Sequence, residues 1–217
     1  MGYGFKIIAE GPVACFTRPE TKLNRISYDV PTPGALEGML KSVYWKPAIR
    51  YVIDQIVVFN SITFQNVRRF FSPEGHEIPS HESRTALALK NVRYGIAFHF
   101  EMTGINDDAP NPSKQYNMIL RRLRKGLCFR QPCFGLSDCP VTRLELVDGF
   151  DLSEISPVIR SQGDVDLGNM LYGLMFRGNE SSDPEPLQPT PPDAATAVYY
   201  NPHMIDGVID VQKYRPD

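Results

Sequence analysis

No C-x-x-C pair occurs in this 217-residue chain, and the spacings of five and six between Cys128, Cys133 and Cys139 match no zinc knuckle or ribbon. With Cys15 they are read as reduced, mostly buried thiols, not as a disulfide or metal framework. No apolar run is long enough to span a bilayer. The opening Met1-Gly2-Tyr3-Gly4-Phe5-Lys6 lacks the basic lead and unbroken apolar stretch of a secretory signal, so a cytoplasmic protein with no membrane partner is expected. Also missing are the G-x-x-x-x-G-K-[ST] phosphate loop, the G-x-G-x-x-G turn and the G-x-S-x-G nucleophile elbow, which removes three common enzyme classes. The nearest approach to a metal site is His76-Glu77-Ile78-Pro79-Ser80-His81-Glu82. Its histidines are five apart with a proline between them, where a helical zinc site needs i and i+4, so the stretch reads as a solvated loop. No metal and no cofactor are expected.

Positive charge is scarce in the back of the chain. Residues 131–217 hold 5 Lys and Arg against 14 Asp and Glu, whereas residues 1–130 hold 18 against 11. The formal net charge of -2 hides this polarity. A basic front suits a polyanion, and an acidic back suits solvent or a basic partner. The length allows one domain plus a small second unit.

The apolar pattern gives the order of elements. Gly4 to Phe16 reads as a first strand, bulged or broken at Gly11-Pro12. Thr32 caps a helix with Pro33 at its first position, running through Trp45 with Ala35, Leu36, Met39, Leu40 and Val43 as its buried stripe. Pro47 ends it. Arg50 to Thr63 is a strand, Gln65 to Lys90 a long polar loop, and Asn91 to Met102 a strand with Val92, Tyr94, Ile96, Phe98 and Phe100 on one face. His99 sits on the other face and reads as structural. A second helix, capped by Ser113 and stopped near Gly126, buries Tyr116, Ile119, Leu120 and Leu123. Thr142 to Val147 closes the series. The order β-α-β-β-α-β is the ferredoxin-like one, also used by RNA-recognition (RRM-like) domains. The expected fold is therefore α+β: a ferredoxin-like domain over residues 1–147, then a small acidic antiparallel β-sheet domain over 148–217. Leu167 to Phe176, Ala197 to Tyr200 and Val208 to Gln212 are its strands, Gly178 to Pro192 is a mobile proline-rich loop, and His203 has no evident partner.

Tyr44-Trp45-Lys46 at one helix end and Lys114-Gln115-Tyr116 at the start of the other form the most informative constellation. Cutting RNA without a metal needs a 2′-hydroxyl driven onto the neighbouring phosphate, a group to accept or orient its proton, and cations for the transition state. Tyrosine and lysine supply these, the lysines favouring the phenolate. The alternative is a surface that only binds phosphate. Lys46, Arg68, Arg69, Tyr116, Arg121, Arg122, Arg124 and Lys125 are the expected RNA-binding residues.

Ala14-Cys15-Phe16-Thr17-Arg18-Pro19-Glu20, Ser27 to Pro31, and Ser42-Val43-Tyr44-Trp45-Lys46-Pro47-Ala48-Ile49-Arg50 closely resemble the CRISPR-associated Cas-five family of the type I-C (Dvulg) system. Phe98 to Glu101, Arg121 to Gly135 and Asp166-Leu167-Gly168 extend the likeness over most of the chain. The resemblance implies a ferredoxin-like RAMP-superfamily protein that binds the CRISPR repeat hairpin and cuts it without metal at the hairpin base. It would then stay on the 5′ handle beside the backbone and large subunits of the interference complex. The family's catalytic tyrosine corresponds to Tyr44 and its Lys-His pair to Lys114 and Gln115, so a glutamine stands where the family has histidine. Glutamine exchanges no proton near neutral pH. Slow cleavage, a non-catalytic handle-binding scaffold, and a duplex-DNA-binding subunit are the readings this leaves.

Overall fold

A computed structural model of the chain describes residues 4–21, 25–69, 84–104, 111–176 and 195–216. In chain order its elements are β1 (Phe5–Ala14), α1 (Pro33–Val43), β2 (Ile49–Val58), β3 (Phe64–Arg69), β4 (Arg84–Met102), α2 (Pro112–Lys125), β5 (Arg143–Val147), α3 (Pro157–Arg160), β6 (Asp164–Asp166), β7 (Met170–Phe176), β8 (Ala195–Tyr200), β9 (His203–Ile205) and β10 (Val208–Asp210). The His76 to Glu82 and Gly178 to Pro192 stretches lie outside the described residues.

Strand β4 is the spine. Its alternating Val92, Tyr94, Ile96, Phe98 and Phe100 are all buried, as their period of two requires. β1 and β2 flank it antiparallel, and β5 lies outside β1, giving the order β5-β1-β4-β2. β1 is one paired strand, not two pieces: Gly11 opposes Val92 and Val13 opposes Lys90. The irregularity is confined to Pro12, which has no N–H to give, and to Asn91, whose φ of 48° suits asparagine better than most residues.

The expected loop from Gln65 to Lys90 instead contains β3 and the first part of β4, paired from Phe64 opposite Leu89 to Arg69 opposite Arg84. Ala86 and Ala88 supply much of the buried face of this arm, and alanine carries little strand signal.

Thr32 caps α1 as expected, its hydroxyl accepting from the Ala35 amide at 3.2 Å. The helix ends at Val43 and does not reach Trp45. Tyr44 is extended, and its amide still donates to the Leu40 carbonyl. On α2, Asn111 caps in place of Ser113, because Pro112 takes the first helical position, and Gly126 closes the helix at a φ of 62°. The following loop is pinned to β1. Phe134 is buried edge-on to Phe16 and Tyr94, and Gly135 lies so close to the Cys15 carbonyl that a Cβ would stand 2.1 Å from that oxygen.

Residues beyond 147 continue the same sheet. β10 pairs with β2, β9 with β10 across an Asp206-Gly207 turn, and β6 with β9. β7 and β8 form a separate ribbon, held near α1 by the approach of Gly34 to Gly173 and by the Leu171 amide donating to the Tyr28 hydroxyl. Ile155, Ile159, Met170, Tyr200, Met204 and Ile209 share one buried apolar cluster with β1, β2 and β4. Among the described residues no helix is long and apolar enough to cross a membrane. Of the four cysteines, Cys15 and Cys139 are buried, Cys133 is half-buried, and Cys128 is exposed.

Candidate active site

The end of α1 and the first turns of α2 meet over the sheet. Because Tyr44 leaves the helix in an extended conformation, its ring turns inward, 5% exposed, while Trp45 and Lys46 point to solvent. The Tyr44 hydroxyl donates to Gln115 Oε1 at 2.8 Å, joining two residues 71 positions apart. Gln115 is 7% exposed, one of few buried polar side chains. The Tyr51 hydroxyl donates to the Tyr44 carbonyl at 2.8 Å and fixes the turn from behind. A buried polar group without a partner costs about 1–3 kcal/mol, so these bonds hold the junction to one arrangement.

Arg122 completes the cluster. Its Nη1 donates to the Val43 carbonyl at 2.9 Å, and its guanidinium carbon lies 5.4 Å from the centre of the Tyr44 ring. No described carboxylate forms an ion pair with it, and its Nε is buried without a partner among the described residues. Burial pushes the Tyr44 phenol above its ordinary range, and the nearby Arg122 charge offsets only part of that shift. Tyr44 is therefore a protonated hydrogen-bond donor near neutral pH. The phenolate expected from neighbouring lysines is disfavoured, because desolvation outweighs the adjacent cation. Lys114 stands beside Gln115 in the first turn of α2 with an exposed side chain.

Residues 6–212 match the family described as CRISPR-associated protein (Cas_Cas5), in its Cas_Cas5d form. The chain belongs to the Cas5 family of CRISPR-associated proteins. The CRISPR pre-crRNA endoribonuclease Cas5d of Mannheimia succiniciproducens is 35% identical, over 94% of this chain and 92% of that protein. The protein of the same name from Thermus thermophilus is 32% identical, over 79% and 73%. A solved structure described as a CRISPR-associated protein superposes with a TM-score of 0.64 at 24% identity, covering 95% of this chain and 90% of that one.

In this Cas5 chain the remaining expected site residues are not all brought to the junction: Arg68 and Arg69 pair with the start of β4, whereas Ile49, just past Lys46, pairs with its last residue, Met102. Lys46, Arg121, Arg124 and Lys125 are exposed, whereas Arg122, grouped with them by sequence, turns under Tyr44. Tyr116 is half-buried and stacks on Phe5 at 4.9 Å, which in turn stacks on Phe98, so one face of its ring is spent on the core. Arg68 and Arg69 belong to β3, and their side chains lie outside the described residues. Tyr51 and the inward role of Arg122 escaped the sequence reading. Only the spacing of Arg122 at i+7 from Gln115 and i+3 from Ile119, along the buried stripe of α2, could have disclosed the latter.

His99 lies on the opposite face of β4. Its Nδ1 is 2.9 Å from Asp54 Oδ1, and Asp54 is the extra residue of a bulge between Ile53 and Gln55. His203 pairs with Asp164 at 2.8 Å, a hydrogen bond that raises the pKa of its imidazole. Among the described residues no three His, Cys, Asp or Glu side chains converge as a metal site.

Proposed function

We propose that this chain cuts the precursor CRISPR transcript at its repeat hairpin by metal-independent attack of a 2′-hydroxyl, with the reaction centred on Tyr44. The observation that carries this reading is the buried Tyr44–Gln115 hydrogen bond beside Arg122, in a chain whose relatives carry the name pre-crRNA endoribonuclease. The 2′-oxygen attacks the phosphorus and the 5′-oxygen departs, leaving a cyclic phosphate and a 5′-hydroxyl. On binding RNA, Tyr44, kept protonated, turns its single O–H from Gln115 Oε1 to a phosphate oxygen, and the departing 5′-oxygen takes its proton from solvent. Arg122 and Lys114 supply the positive charge that the transition state needs. Gln115 orients the phenol and exchanges no proton, so the 2′ proton passes to solvent and cleavage is slow.

The basic α2 face, with Lys46 and the arginines of β3, holds the hairpin backbone. The core β1-α1-β2-β4-α2-β5 acts as a ferredoxin-like domain over residues 1–147, a reading supported by its strand order β5-β1-β4-β2. Residues 148–217 form its acidic appendage. After cleavage the protein remains on the 5′ handle beside the backbone and large subunits of a type I-C interference complex.

Incubating the protein with the host's repeat RNA in EDTA and mapping product ends tests the reading. A single cut with a 5′-hydroxyl and a cyclic phosphate is expected; an intact transcript contradicts it. A second reading, a non-cutting scaffold that holds the handle, is favoured by the same burial: a phenol only 5% exposed and already bonded to glutamine is poorly placed to meet substrate. Tight binding with no cleavage selects it.

A further inference from the structure

Two aromatic rings near the helix ends are not used by the core, one on the strap that follows α2 and one just past α1. The Phe129 and Arg130 amides both donate to the Ser42 carbonyl, at 2.8 and 3.2 Å, and so fasten residues 127–130 across the last turn of α1. Phe129 nevertheless turns its ring outward, 81% exposed, and Trp45, next to Tyr44, is 55% exposed. Among the described residues neither ring stacks on another.

Singly exposed rings are ordinary on a protein surface, but these two are both tied to the end of α1, Phe129 through Ser42 and Trp45 directly after Tyr44. Their electrostatic setting is what sets them apart. From residue 109 to residue 137 there is no Asp or Glu, and exposed Lys46, Arg124, Lys125 and Arg130 form no ion pair with any described carboxylate. A basic protein-binding surface would find its partner through carboxylates, whereas rings set among unpaired cations suit a polyanion whose uncharged parts are flat. Single-stranded RNA has that chemistry: phosphates for the cations and base faces for the rings.

We infer that Trp45 and Phe129 form a stacking platform for unpaired bases next to the phosphate held at Tyr44. The inference rests on the proposed RNA cleavage and extends it to residues outside the reacting centre. The platform reads base faces, tolerates sequence, and requires that RNA beside the scissile bond be unpaired.

The chain has a single tryptophan, so its indole emission reports Trp45 alone. The full-length protein is titrated with the repeat hairpin carrying an unpaired flank, with the same hairpin trimmed to its duplex, and with a short oligoadenylate. Emission should be quenched by the flanked hairpin and by oligoadenylate, but not by the trimmed hairpin. Phe129→Ala, which removes only an exposed ring, should weaken the flanked hairpin about tenfold and erase its advantage over the trimmed one. Unchanged emission while anisotropy reports bound flanked hairpin, or wild-type affinity in Phe129→Ala, overturns the platform and leaves the cleavage reading standing. Emission that responds only to an added protein subunit overturns it too, assigning the rings to a protein contact. If the wild-type protein binds neither hairpin, the RNA reading and the platform fall together.

Discussion

Two polar clusters sit on opposite faces of β4, and they differ in what is left unpaired. On the outer face, Glu101 accepts from Arg50 at 2.7 Å and from Arg215 at 2.8 Å, while Asp54 accepts from Gln212 at 2.7 Å and faces His99. Each carboxylate there meets a basic group or amide, and the network ties the chain's last turn to the sheet. On the helix side a protonated phenol, an amide and a guanidinium meet with no carboxylate among the described residues. A closed network of this kind holds structure. A cation left uncompensated beside a buried hydroxyl is positioned for a charge that arrives with a ligand.

Removing the phenol should have the largest effect. Tyr44→Phe is expected to slow single-turnover cleavage by about 10²- to 10⁴-fold while repeat-RNA affinity changes little, because only a hydroxyl is lost. Arg122→Met should cost about 10²- to 10³-fold in the same assay through the lost transition-state charge, with Arg122→Lys recovering part of it. In the opposite direction, Gln115→His should accelerate cleavage, by up to about 10²-fold, and introduce a pH dependence near the imidazole range. Gln115→Leu tests the structural share of the bond. It leaves the Tyr44 hydroxyl buried and unpaired, so denaturant unfolding should show a loss of about 1–3 kcal/mol.

The outer network should respond to acid and not in the cleavage assay. The hydrogen bond from Arg50, with further help from Arg215, lowers the Glu101 carboxyl to about 2. A depressed carboxylate contributes stability that is present above its ordinary value of 4.5 and is lost as the pH falls from there through about 2. Melting temperatures measured across that window should therefore fall more steeply for wild type than for Glu101→Gln, the smallest of the expected effects.

The fold was legible where a period was long enough to read. The alternation from Val92 to Phe100, the Thr32-Pro33 cap and the Gly126 stop all stand as the sequence implies. The β3 arm was not legible, since Ala86 and Ala88 bury a face without announcing it. The pairing of β10 with β2 joins residues about 150 positions apart, which no local pattern encodes, although the Asp206-Gly207 turn that forms the β9–β10 hairpin was open to reading. At the site, the sequence groups Tyr44 with Lys114 and Gln115, and the fold joins Tyr44 to Gln115 by a hydrogen bond of 2.8 Å. Their direct bond, the raised phenol and the inward Arg122 depend on how α2 rolls over α1, and a list of basic residues does not contain that rotation.

Whether chemistry resides at the junction of α1 and α2 is measured by single-turnover cleavage of the repeat hairpin in EDTA by wild type, Tyr44→Phe and Gln115→His. Slow cutting by wild type, nearly none by Tyr44→Phe despite retained binding, and faster cutting by Gln115→His are expected. Equal rates for all three, or no cutting by any of them, would contradict chemistry at this junction.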